Sequence, residues 1–156
     1  ISRAIVPNIV CPAIDELKNL WAPESPVKKW SDIRDGWPDK KIRLYCPDTD
    51  SGTFDYFTEA IVGEEDASRS DYTASADDNV LVQGVGGDRY SLGYFGYSYY
   101  LENTDKLKLI AIDHGKGCIQ PNAQNINDGF CNVPAFSFPT VIFKTYHCEF
   151  YVSLWF

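Results

Sequence analysis

Residues 44–61 run LYCPDTDSGTFDYFTEAI, and the fold is decided there. Residues 41–46 alternate and are rich in strand formers, so they read as a β-strand. Residues 48–53 are small and polar. Phe54, Phe57 and Ile61 then recur at i, i+3 and i+7, the spacing of an amphipathic helix. Ser51 suits the N-cap of that helix. The order is strand, tight polar loop, helix start. Open α/β sheets place ligands beyond the carboxyl ends of their strands. A helix start offers unpaired N–H groups and partial positive charge. Ser51, Gly52 and Thr53 there would let an oxyanion approach closely. Plain capping and turn-making is the alternative use of the same three residues. Asp48, Asp50, Asp55 and Glu59 have some of the spacing of a calcium loop. The glycine falls at the fifth position rather than the sixth, and no metal is expected.

Outward from this stretch, strands and helices interleave. Residues 4–10 form an apolar run broken by Pro7, an edge strand. In residues 13–21, Ile14, Leu17, Leu20 and Trp21 recur at helical spacing. Residues 27–34 read as a short helical turn on the surface. Residues 77–85 predict a helix with Val80, Leu81, Gly84 and Val85 on one side. A strand over 91–96, a short helix over 98–103 and a strong strand over 107–112 follow. Residues 113–135 are loop-rich, and 136–143 reads as a last strand. This alternation defines an α/β sheet with helices on its faces.

The chain has 156 residues, the size of one ordinary domain. Hydrophobic residues are 44% and charged residues 23%, which excludes disorder and coiled coil. There is no apolar run of about 18 residues to span a membrane. Methionine is absent even at position 1, and the expectation is a piece cut from a longer protein. No signal peptide is evident in it. Net charge is −8, and it divides as +2 over 1–43, −11 over 44–105 and +1 over 106–156. An acidic middle argues against nucleic-acid binding, which needs a basic footprint. It also makes Arg69, in the run SRSDY, conspicuous. Its functional reading is a bidentate clamp on a tetrahedral oxyanion. The structural alternative is an outward pair with Glu64, Glu65 or Asp66.

Five cysteines, at 11, 46, 118, 131 and 148, form no CxxC and no Cys–His zinc spacing. Their odd number excludes complete pairing within the chain. Disulfides fit an exported protein, but the sequence does not pair them. His114 and His147 lack a GxSxG nucleophile elbow to serve. The run GVGG at 84–87 does not match GxGxxG.

Residues 44–113 closely resemble the PstS-type phosphate-binding proteins, the extracytoplasmic receptors of phosphate ABC importers. The run DELKNLWAP at 15–23 is similar to the same family. The likeness covers about residues 10–130, and 131–156 diverge as an aromatic tail. It implies a type II periplasmic-binding fold of two α/β lobes, each a mixed, mostly parallel sheet flanked by helices. Residues 1–156 would be the second lobe alone. It further implies a binding protein, not an enzyme, that needs no cofactor. Its partners would be inorganic phosphate, the membrane permease, and a first lobe or partner chain. The location would be periplasmic or extracellular. Phosphate would meet Ser51, Gly52 and Thr53. Many members place an arginine four residues before this serine, where Pro47 stands here, so Arg69 is expected to take that part. Another oxyanion such as sulfate or molybdate is one alternative ligand, and a phosphatase-like enzyme is the alternative class.

Overall fold

The computed structural model describes residues 11–113, 115–119 and the backbone of 151–154. Strand β1 (Arg43–Pro47) is paired in parallel with β2 (Thr73–Ser75) and β3 (Ser91–Phe95). Strand β7 (Tyr151–Leu154) runs antiparallel between β3 and β4 (Lys108–Leu109). The order is therefore β2-β1-β3-β7-β4, with β5 (Ile112–Asp113) and β6 (Cys118–Ile119) as a separate hairpin. The three strands on the β2 side form the parallel part, as the α/β reading requires.

The alternation along β1 and β3 divides the core in two. Leu44, Cys46, Leu92 and Tyr94 face α1 (Ile14–Trp21) and α2 (Gly52–Phe57). Phe95 and Tyr45 face α3 (Asp78–Gly87), beside α4 (Tyr97–Leu101). On the first face Trp21 meets Phe57 edge-on at 5.5 Å and Tyr94 at 5.0 Å. The Tyr94 ring stacks on Phe57 at 3.7 Å. Such rings bury the largest apolar areas in a small core, which explains a helix pair fixed by aromatic contacts. On the second face α3 lies close to the sheet because Gly84 has no side chain. A Cβ there would come within 2.3 Å of the Tyr45 ring. Gly84→Ala should cost about 1–3 kcal/mol by overpacking. An unchanged denaturation midpoint would refute that close approach.

Two expectations, the side of α3 and the strand over 107–112, are corrected. The turn within residues 27–34 is a single 3-10 turn, Trp30–Asp32, and it lies at the surface, with Lys28, Lys29, Asp32 and Arg34 exposed. The Trp30 ring is buried, and its Nε1 donates to the Tyr90 carbonyl at 3.0 Å. Val80 lies outside the buried side of α3, which Leu81, Val82 and Val85 form; Val80 is 48% exposed. The strand over 107–112 is broken into β4 and β5, in different sheets. Buried Leu107, Leu109 and Ile110 made it read as one. Within the tail, β7 lies inside the sheet, between β3 and β4. The expected strands at 4–10 and 136–143, and both histidines, lie outside the described residues.

Candidate functional site

The loop after β1 arrives at α2 as the sequence implied. Ser51 is the N-cap, and its Oγ accepts from the Thr53 N–H at 3.2 Å. Its own O–H is not used in that bond and remains a donor. The Ser51 N–H is held by the Asp48 carbonyl at 3.1 Å, and the Ser51 carbonyl takes the Asp55 N–H at 3.1 Å. These bonds fix the loop, so the hydroxyls are positioned before any ligand arrives. Gly52 is exposed, and a Cβ built on it would meet nothing within 4 Å. Space is therefore open above the helix start. The helix continues past Phe57 as one π turn, Thr58–Val62, closed by Gly63 at φ 98. Buried Thr58 steadies that widening by donating to the Phe54 and Asp55 carbonyls and accepting from the Asp66 N–H.

Two more helices begin at the same edge of the sheet. Asp77 caps α3 by accepting from the Asn79 N–H at 2.9 Å. The neighbouring Asp78 takes the Gly96 N–H at 3.2 Å, joining α3 to the start of α4. The edge is thus a row of helix N-termini, with α2 the one that a serine caps and a glycine opens. A partial positive charge gathers there. Asp48, Asp50 and Asp55 oppose it, so an anion would have to be held by short-range donors.

Arg69 is buried and already bonded. It is only 5% exposed, and its guanidinium is committed to the frame. One terminal nitrogen donates to the Leu20 carbonyl at 2.8 Å and the Val27 carbonyl at 3.0 Å. Nε and the other terminal nitrogen form a fork on Asp71. Its backbone N–H reaches the Trp21 carbonyl. The partner is Asp71, not Glu64, Glu65 or Asp66. The register explains the placement. Tyr45 pairs with Thr73 in parallel, so Arg69 precedes the start of β2 whereas Ser51 follows the end of β1. The hydrogen bonds bring Ser51, Gly52 and Thr53 together and hold Arg69 against α1. The missed residue is Asp71. Its signal was present, because an Arg-x-Asp pair in extended chain shares one side. The Arg69 and Lys28 bonds hold the Asp71 carboxyl well below the usual range. Burial pushes the Cys46 thiol up to about 12, with Tyr94 and Tyr72 beside it.

The helix-flanked mixed sheet is one lobe of the type II periplasmic-binding fold, as its superposition on solved phosphate-binding proteins shows. No protein-family model matches the chain. Protein SphX of Synechocystis sp. is 50% identical over 115 residues, 72% of this chain and 34% of that protein. The phosphate-binding protein PstS of Staphylococcus haemolyticus is 39% identical over 116 residues, 74% of this chain and 35% of that protein. A crystal structure of a possible phosphate binding protein from Planctomyces limnophilus superposes with a TM-score of 0.74 at 41% identity. It covers 93% of this chain and 48% of that one. An ABC-type phosphate transport receptor from Vibrio cholerae, at 16% identity and a TM-score of 0.61, shares the fold. The chain belongs to the PstS-type phosphate-binding family. It spans about a third of the length of the curated relatives it matches and about half of the solved ones. The Staphylococcus relative is named as a phosphate-binding protein, the Planctomyces one as a possible phosphate binding protein and the Vibrio one as a transport receptor. Among the described residues no helix is long and apolar enough to cross a membrane.

Proposed function

We propose that this chain binds inorganic phosphate as the second lobe of an extracytoplasmic receptor that feeds a membrane ABC permease. Binding, not catalysis, is its chemistry. The single observation that carries the reading is the serine-capped start of α2, with Gly52 open to solvent at the carboxyl edge of β1. The Ser51 and Thr53 hydroxyls and the Gly52 N–H are the donors assigned to phosphate, acting as charge-assisted hydrogen bonds. The names of its relatives support phosphate as the ligand. Of the four residues expected at the site, Arg69 is assigned to the frame behind it. Four hydrogen bonds already use its N–H groups, and five is its full complement. The other lobe would close over the exposed side of the anion.

Thr53→Val keeps the shape of the side chain and removes one hydroxyl donor. In a two-lobed receptor carrying this sequence it should weaken phosphate binding by about 1.5–3 kcal/mol, the range for a hydrogen bond to a charged group. That is roughly a 10- to 150-fold rise in Kd. Calorimetry that finds the affinity unchanged would remove Thr53 from the site.

A further inference from the structure

Two segments far apart in the chain meet at one point. Cys11 and Cys118, 107 positions apart in sequence, are joined by a disulfide with their Cα atoms 5.9 Å apart. The Asp113 N–H donates to the Pro12 carbonyl at 3.0 Å, and Ala13 bridges Asp113 in parallel. Asp113 also pairs with Cys118 across the β5–β6 hairpin. Segments 11–13, 112–113 and 115–119 therefore form a neck, with β1 to β4 in the chain between them and β7 beyond. Among the described residues β5 and β6 are two residues each, and beyond the disulfide and their own pairing only the Ala13–Asp113 bridge with its Pro12 carbonyl bond ties the neck. Cys11 is moreover at φ 134, a backbone region that residues other than glycine avoid. Something must hold it there. The two sulfurs differ in access, because Cys11 is buried at 9% exposure while Cys118 is exposed.

We infer that Cys11–Cys118 is a redox-sensitive clasp on the neck of the lobe, opened by a dithiol reductant acting at Cys118. A thiolate of the reductant attacks the exposed Cys118 sulfur. The S–S bond breaks, and Cys11 leaves as a thiolate that takes up a proton. The second thiol of the reductant then attacks the mixed disulfide and frees Cys118 as a thiol. The dithiol ends as its cyclic disulfide, oxidised by the two electrons that the cystine gained. Cys46 takes no part, being buried with its thiol held protonated. Opening frees Cys11 from its strained backbone and loosens the neck. The sheet, whose central strand β3 is buried along its whole length, keeps its own pairing.

The test is hydrogen exchange by mass spectrometry on the full chain, with and without dithiothreitol. Peptides spanning 11–13 and 112–119 should exchange at least tenfold faster when reduced, while those over β1 and β3 keep their protection. Cys118→Ser should reproduce the reduced pattern without reductant, and it leaves the other cysteines untouched. Neck exchange that is the same in both states would overturn the clasp. Loss of protection across the sheet would also overturn it, since the bridge would then staple the whole lobe. So would a non-reduced peptide map that joins Cys11 to a different cysteine.

Discussion

Phosphate titrated into the isolated 156-residue chain is expected to bind at least about ten-thousandfold more weakly than to a two-lobed receptor carrying the same sequence. One lobe offers donors from one side only. The far oxygens of the anion stay in water, where charge–charge attraction is several-fold weaker than in a closed cleft. Losing roughly four charge-assisted hydrogen bonds, at about 1.5–3 kcal/mol each, removes at least 6 kcal/mol. A micromolar site then becomes one of about 10 mM or weaker. The acidic stretch 44–105, net −11, adds repulsion that salt screens beyond about 8 Å. Calorimetry decides it. Micromolar affinity in this chain alone, with sulfate rejected, would show that the α2 edge is a complete site.

Arg69→Met is expected to give the largest loss of stability. The substitution leaves the Leu20 and Val27 carbonyls buried without their donor, next to a side chain of similar length that offers none. An orphaned buried acceptor costs about 1–3 kcal/mol, so the pair costs roughly 2–6 kcal/mol. Arg69→Lys keeps the charge but not the fork on Asp71, and should fall between. The pH dependence has a definite sign. Asp71 is held below its ordinary value in the folded chain, so its contribution is present above about pH 4 and is lost as pH falls further. Arg69→Met should flatten that acid limb. An unfolding midpoint unchanged from pH 7 to pH 3 in both proteins would contradict the frame role. A variant of normal stability that has lost phosphate affinity would put the guanidinium at the ligand instead.

Local signals carried the strand–loop–helix unit well, because they were redundant. Phe54, Phe57 and Ile61 gave the period, Ser51 the cap and Gly52 the opening. Residue 69 was harder. A lone arginine in an acidic region satisfies both a ligand reading and an ion-pair reading, and only the parallel register of β1 with β2 separates them. Trp30 and the tyrosines show a second limit. Tyr94 and Phe95 are fully buried in this lobe, while Tyr97 and Tyr99 are half-buried. In a fully buried central strand both sides are apolar, so alternation cannot distinguish core from interface. The break between β4 and β5 and the insertion of β7 depend on long-range pairing, which no local window contains. The neck disulfide is of the same kind, since five cysteines allow many pairings.

The central claim is that the anion meets the start of α2. Phosphate titration followed by the amide signals of the 15N-labelled chain, to about 100 mM against chloride of matched ionic strength, sees even a site of about 10 mM. The account predicts that the Ser51, Gly52, Thr53 and Phe54 amides move most, along one saturating curve, with Thr53→Val reducing the shift. Amides at 51–54 that stay still, while others saturate with phosphate, would contradict it.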